Sequence, residues 1–147
     1  MSFISQLFAF LCLTSSISVM AYAHDDVQYI LKGINHYRMR HFLLPLKLDE
    51  RLNLIAMQHS THMAHHQIPV GHDGFQKRFS NMRSKIPGIK QAAENVAAGY
   101  KNLDDVIDGW THSPGHKRNI LGSYRLTGIA IAYDTQHKPY YTQVFAK

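Results

Sequence analysis

A single carboxylate, Glu94, lies inside a run of small and apolar residues that is typical of a buried strand. Burying an ionised group without a partner is costly, so any fold of this chain must supply a partner for Glu94. The segment Trp110-Thr111-His112-Ser113-Pro114-Gly115-His116 offers one, because its Ser-Pro-Gly break ends a helical stretch and brings His116 round a turn. The sequence therefore predicts a cleft that holds one glutamate and at least one histidine.

The first 23 residues contain no Asp, Glu, Lys or Arg. Their apolar core, Phe8 to Leu13, is followed by Ala21-Tyr22-Ala23, which has the small-x-small pattern of a cleavage site. The pattern is typical of a secretory signal peptide, and serines interrupt a run that is already short for a membrane span. We expect cleavage after Ala23, so that residues 1–23 form the signal peptide and residues 24–147 a single domain that is periplasmic or secreted and not transmembrane.

Cysteine content and charge indicate what kind of exported protein to expect and which partners it would bind. The one cysteine, Cys12, lies in the predicted signal peptide, so the domain is expected to fold by core packing without disulfides, as suits a bacterial exported protein. The net charge of +6 favours anionic surfaces, but the Lys and Arg residues are scattered without interleaved aromatic residues. We therefore do not expect a nucleic-acid partner, and we expect a monomer.

Hydrophobic periodicity predicts helices before strands. Asp49 is the expected N-cap of a helix whose apolar stripe includes His59 and Met63. The other predicted elements are a helix ending near Arg40, a connector over 41–47, a short helix over 75–82, a strand over 92–100, helices over 103–111 and 114–121, and strands over 124–133 and 140–146. This order predicts an α+β fold in which helices cover a small antiparallel sheet.

At this point the segments resemble a known family, the CAP superfamily of cysteine-rich secretory proteins, antigen five and pathogenesis-related proteins, also called the SCP domain. The chain is most similar to the short, cysteine-free bacterial branch. The resemblance rests on segments that occur in the family's order: Asn35-His36-Tyr37-Arg38, Leu46 to Leu52, Ala56 to Ala64, Gly71-His72, Ala93 to Ala97, Trp110 with Ser113 to His116, Gly128 to Ala130, and Tyr141 to Phe145.

The resemblance implies a three-layer α-β-α sandwich with an open cleft in which His72, Glu94 and His116 converge. Some members of the family bind a divalent metal there through two histidines. Two departures from the family pattern matter: Ser113 stands where many members carry a second glutamate, and Tyr140 stands where many eukaryotic members carry a second cleft histidine.

The cleft residues allow more than one chemistry. Two neutral imidazoles are suitable ligands for Zn²⁺ or another divalent metal, which makes His72 and His116 the candidate ligands. Glu94 is the candidate catalytic base or the group that orients an imidazole, and the alternative is that it only accepts hydrogen bonds that hold two loops together. We include His59 and Ser113 among the residues expected to line the cleft.

Two further metal hypotheses concern histidines outside the cleft. His59, His62, His65 and His66 recur at helical spacing, so some pairs share a helix face, although no glutamate lies between them as in a zincin motif. Cleavage after Ala23 would also place His24 at the N-terminus, where its amine and imidazole together can chelate copper.

We expect an exported protein that binds a ligand in its cleft, and the resemblance implies a small lipid-like, sterol or cell-envelope ligand without selecting one of these. One alternative is a metal-dependent hydrolase of peptide or envelope polymer, with His72 and His116 holding the metal and Glu94 as base. The other is a secreted interaction protein whose cleft is inert. The absence of a second carboxylate at Ser113 favours binding over hydrolysis.

Overall fold

The structure, a computed structural model, describes residues 24–147. The predicted signal peptide over residues 1–23 lies outside the described residues. Residues 24–40 are helical and are called α1 here. The elements that follow are β1 (Lys47–Leu48), α2 (Glu50–Ala64), α3 (Phe75–Lys85), β2 (Ala92–Ala98), α4 (Leu103–His112), α5 (Pro114–Ile120), β3 (Leu126–Tyr133) and β4 (Pro139–Ala146).

A four-stranded sheet in the order β1-β3-β4-β2 forms the middle layer. The pairs β3–β4 and β2–β4 are antiparallel, as predicted, whereas β1 adds to the edge of β3 in parallel. β1 was not predicted, because its two residues lie where the expected connector meets the N-cap of α2. They are held by backbone bonds from Lys47 N to Arg125 O and from Asp49 N to Thr127 O, both 2.9 Å.

Helices cover both faces of the sheet. On one face α1, α4 and α5 bury residues such as Ile34, Trp110 and Ile120 against Ile129 and Phe145. On the other face α2 and α3 bury a separate group against the sheet: Leu52, Ile55, Ala56, Met82, Ala130 and Val144. The predicted α+β class and the three-layer α-β-α sandwich are confirmed.

Local signals account for most element boundaries. The side chain of Asp49 accepts a hydrogen bond from Arg51 N and caps α2, as predicted, and the stripe that includes His59 and Met63 is buried. The strand predicted over 92–100 ends at Ala98, because Gly99 has a φ of 79° and turns the chain.

No helix in the 24–147 region is both long and apolar enough to cross a membrane.

Alternation along β2 divides its side chains between the two faces of the sheet. Glu94 pairs in register with Val144 and faces α2 and α3, whereas Asn95 faces the opposite layer and bonds to α5. Glu94 and Asn95 of the predicted cleft motif therefore face different helical layers on β2, which is an edge strand of the sheet.

Candidate functional site

Glu94 is the centre of an ionic cluster beneath α3. Its side chain is only 1% exposed, and both carboxylate oxygens are engaged. Arg78 donates from Nε to Oε2 and from Nη2 to Oε1, each at 2.7 Å, and His72 Nδ1 lies 3.0 Å from Oε1. A bidentate guanidinium pair is among the strongest arrangements available to a buried carboxylate. The predicted need for a partner is met, but mainly by arginine.

Arg78 is a site residue that the sequence analysis missed. It lies on α3, where Phe75, Arg78, Phe79 and Met82 follow helical i, i+3, i+4, i+7 spacing. A cation on such an apolar stripe signals a buried partner, and that pattern could have identified it. Arg78 also donates to the carbonyl oxygens of Asp73 at 2.7 Å and His72 at 3.3 Å, so it holds the loop before α3 against the strand.

His72 lies in that loop, over the mouth of the cluster. Its Nδ1 faces Glu94, while its side chain is 55% exposed, which leaves the Nε2 side toward solvent. Gly74 adopts φ 76° at the start of α3, a conformation that turns the loop back toward β2. The structure therefore brings two predicted residues, His72 and Glu94, into direct contact.

His59 lies beneath the cluster on α2. Its Nε2 is 2.8 Å from Gly71 O and 3.7 Å from Glu94 Oε1, and since a carbonyl only accepts, Nε2 carries the hydrogen. Its Nδ1 is buried without a partner in the described part of the chain. Burial lowers the pKa of His59, and the nearby positive charge of Arg78 adds to this, while Glu94 and the bond to Gly71 act in the opposite direction.

His116, predicted as a partner of Glu94, lies in the opposite helical layer, and its imidazole makes no hydrogen bond or ion pair with Glu94 or His72 among the described residues. Asn95 Nδ2 donates to His116 O at 3.2 Å, which fixes the start of α5 to β2. The imidazole lies near Trp110, with ring centroids 6.5 Å apart, and its Nδ1 is buried without a partner among residues 24–147. Burial lowers the pKa of His116, and electrostatic repulsion from His72 lowers it further.

Ser113 and Tyr140, the two positions that depart from the family pattern, are structural here. Ser113 is the N-cap of α5, and its hydroxyl makes no capping bond. Tyr140 is buried, and its hydroxyl donates to Asp134 Oδ2 at 3.2 Å. Neither residue contributes a bond to the cluster around Glu94.

The divalent metal that the resemblance implies could be held here only by the imidazoles of His72 and His116, and not by the Glu94 carboxylate. A histidine that binds a metal usually bonds through its other ring nitrogen to a carboxylate, and His72 has that arrangement with Glu94. His116 has an unpartnered ring nitrogen within the described chain. Glu94 itself does not fit as a ligand, because the Arg78 guanidinium covers both oxygens. Within residues 24–147 no group of three or more His, Cys, Asp or Glu side chains is arranged to hold a metal ion.

The other two metal hypotheses, a site at the α2 histidines and a site at His24, can be compared with the structure in the same way. Neither the α2 histidines nor His24 form such a group with neighbouring acidic or histidine side chains in the described chain. His65 and His66 are exposed, whereas His62 lines a cavity of about 320 Å³ between α2 and α3. A metal site with only two protein ligands, at the α2 histidines or at His24, remains a prediction.

One of the three cavities in the described part of the chain adjoins the cluster around Glu94. A cavity of about 1100 Å³ is formed by the loops before β1, β2 and β3. A second, of about 450 Å³, lies beside the β3–β4 turn, and a third is the one lined by His62. Among the described residues, none of these three is lined by His72, Glu94 or His116, but His59, Asp73, Gly74 and Arg78 line the third, which therefore adjoins the cluster.

Two Bacillus subtilis proteins are similar to this chain in sequence. The Bacillus subtilis protein YkwD is 33% identical over 121 residues, which are 79% of this chain and 44% of YkwD. The B. subtilis membrane protein YlbC is 28% identical over 123 residues, 80% of this chain and 33% of YlbC. The chain thus spans less than half the length of these relatives.

Two solved structures share the fold. An outer surface protein from Borrelia burgdorferi superposes with a TM-score of 0.74 at 19% identity, over 84% of this chain and 92% of that one. An extracellular protein containing an SCP domain from Bacillus anthracis gives a TM-score of 0.70 at 27% identity, over 85% of this chain and 41% of that one.

The family model of the cysteine-rich secretory protein family, CAP, matches residues 31–145, a range that includes every residue of the cluster described above. This match confirms the resemblance that the motifs indicated. The chain belongs to the CAP family of cysteine-rich secretory proteins.

Proposed function

We propose that this protein is an exported binding module that holds a polar cell-envelope ligand, such as a glycan, in the open cleft between His72 and His116. The observation that carries the proposal is the saturation of Glu94. With Arg78 and His72 on its oxygens, this carboxylate organises the site, and the imidazoles of His72 and His116 are the groups left to meet a ligand.

Export is supported from two directions. The predicted signal peptide ends at Ala23, and two structural relatives are an outer surface protein and an extracellular protein. We accordingly place the protein in the periplasm or outside the cell.

The shape and polarity of the cleft favour a polar ligand over a sterol or a fatty acid. Apolar ligands are normally enclosed in mostly apolar cavities. His72 is exposed, so hydrogen bonds from its imidazole edge would fix the orientation of a polar ligand there. Hydroxyl-rich envelope glycans offer the donors and acceptors that such a surface can pair with.

A divalent metal is compatible with this site, because His72 and His116 would hold it. When bound, the metal would act as a Lewis acid toward a ligand oxygen. Glu94 would orient His72 through its Nδ1–H. The alternative of a hydrolase with Glu94 as base is less favoured, since Arg78 already occupies the carboxylate. An interaction protein with an inert cleft is the remaining alternative.

Co-sedimentation with purified peptidoglycan tests the proposal. We expect the exported protein to bind, and the variant His72→Ala/His116→Ala to lose most binding while keeping its circular dichroism spectrum. The matched control is His65→Ala/His66→Gly, which removes two exposed imidazoles just after α2 and keeps a residue suited to the φ of 55° at position 66. Equal binding by the wild-type and cleft variants would contradict the proposal and favour the inert-cleft alternative.

Calorimetric titration of metal-free protein with Zn²⁺ tests the metal separately. Binding that disappears in the folded His72→Ala/His116→Ala variant would assign the metal to the cleft. Binding that persists would move attention to the α2 histidines or to His24, and no binding would exclude the metal-dependent hydrolase.

A further inference from the structure

Phe42 occupies an unfavourable backbone and solvent position at the end of α1. Its φ is 60°, in the left-handed region, and its side chain is 99% exposed. The amide of Phe42 bonds to Met39 O and that of Leu43 to Arg38 O, a helix-ending turn in which glycine is the usual residue. A bulky apolar side chain here gains no packing within the described chain. A strained backbone with an exposed aromatic side chain indicates that Phe42 contacts another molecule.

Phe42 belongs to an apolar loop, defined here as residues 42–45, that borders the 1100 Å³ cavity. Leu44 in the same loop is 84% exposed. The cavity is an open groove, and apolar residues from three loops form much of its lining: Phe42, Leu43, Leu44, Pro45, Ile86, Pro87, Ile89 and Leu126. Apolar surface exposed in one contiguous patch marks a site of protein or membrane contact.

The rim of the groove is basic. Four exposed cations surround it: Lys47, Lys90, Arg125 and Lys147. Arg38 also lines the groove, but its guanidinium is buried and donates to backbone carbonyls of Leu44 and Tyr124. No Asp or Glu is among the residues that line this groove in the described structure. The surface is therefore complementary to a partner that is apolar inside and anionic at its edge.

We propose that this face docks on a membrane surface that carries anionic lipids. Phe42 and Leu44 enter the interface between headgroups and acyl chains, and the four cations contact lipid phosphates. The exposure of Phe42 favours a bilayer over a single bound lipid, because an amphiphile inside the groove would cover only the side of the Phe42 ring that faces the groove. The docking face shares no residue with the His72, Glu94 and His116 cleft.

Vesicle co-sedimentation tests the proposal with the exported protein. We expect binding to vesicles of phosphatidylcholine mixed with phosphatidylglycerol, weak binding to phosphatidylcholine alone, and loss of binding at high salt. Phe42→Gly should reduce the affinity by about tenfold or more, because burial of an aromatic side chain is lost. Glycine adopts the left-handed conformation readily, so this variant keeps the fold.

Matched controls distinguish docking through this face from nonspecific hydrophobic or electrostatic adsorption to vesicles. Leu54→Ser removes an apolar side chain that is 68% exposed on α2, away from the groove, and should leave binding unchanged. Lys47→Gln/Lys90→Gln should weaken binding more than Lys32→Gln/Lys101→Gln, although both pairs remove two exposed positive charges. Equal losses in the two pairs would overturn the proposal, as would unchanged binding by Phe42→Gly. Binding of a soluble short-chain anionic lipid without vesicle binding would assign the groove to single lipids and would also overturn it.

Discussion

At the scale of single residues, the site depends on how one buried carboxylate is compensated. Glu94 has one strong cationic partner, Arg78, one exposed imidazole, His72, and one buried imidazole, His59. A buried ion pair adds little net stability over an apolar substitute, but removing one partner leaves an uncompensated charge. The cluster is therefore sensitive to loss of Arg78 in particular.

We expect Arg78→Met to lower the free energy of unfolding by about 3–5 kcal/mol, because it leaves the Glu94 carboxylate buried without its main partner. Urea unfolding measures the effect. The double variant Arg78→Met/Glu94→Gln should regain much of the loss, since the buried charge is removed as well. Lys77→Met, an exposed change on the same helix, is the control, and an equal loss there would contradict this account.

His59 makes stability depend on pH. Burial lowers its pKa in the folded protein below the unfolded value of 6.5, so below that pH the unfolded chain takes up a proton that the folded chain does not. The stabilising contribution is present above pH 6.5 and is lost as the pH falls. We expect the melting temperature to fall less between about pH 7.5 and 5.5 in His59→Gln, which keeps an N–H donor for Gly71 O.

The comparison variant for this pH effect is His65→Gln, at the exposed C-cap of the same helix. Its melting temperature should follow the wild-type pH profile. If His59→Gln also follows that profile, the buried imidazole does not control the pH dependence.

At the scale of elements, the contact between α2 and β3 is unusually close. A Cβ added at Gly128 would lie 2.2 Å from the carbonyl carbon of Leu52 and 2.5 Å from the amide nitrogen of Asn53. The same approach lets Asn53 Oδ1 accept a hydrogen bond from Ile129 N at 2.9 Å. Backbone meets backbone here, so there is no flexible side chain that could move aside.

Gly128→Ala should therefore destabilise the protein by about 1–3 kcal/mol, because α2 must shift away from the sheet. Chemical denaturation of the variant gives the value. Gly115→Ala is the matched control: a Cβ there meets nothing within 4 Å, and alanine favours the helix, so stability should be unchanged or slightly higher. A neutral Gly128→Ala would show that the layers are more loosely packed than the structure has them.

How far the elements could be predicted depends on whether their signals are local. α2 was predictable because Asp49 caps it and its apolar stripe repeats with the helical period. β1 was not, because its two residues are strand only through pairing with β3, far downstream in the chain. In the site, resemblance identified His72 and Glu94, but the dominant partner, Arg78, required noticing a cation on an apolar helix stripe.

At the scale of the whole molecule, the sheet separates the two halves of the cleft. The cluster around Glu94 belongs to the layer of α2 and α3, whereas His116 belongs to the layer of α1, α4 and α5. An asparagine network joins them across the β2 edge. Asn119 Nδ2 on α5 donates to Glu94 O at 3.0 Å and to Asn95 Oδ1 at 2.9 Å.

This network sets the position of His116 relative to His72, and Asn119→Ala tests it. The change leaves two acceptors without their donor, so we expect the free energy of unfolding to fall by about 1–3 kcal/mol. Amide hydrogen exchange should accelerate in α5 but not in α3, because the Arg78–Glu94 pair is untouched. Asn81→Ala, a partly exposed asparagine on α3, should leave α5 unchanged. Equal acceleration in both helices would mean that the two layers open together, and that Asn119 does not by itself hold His116 at the cleft.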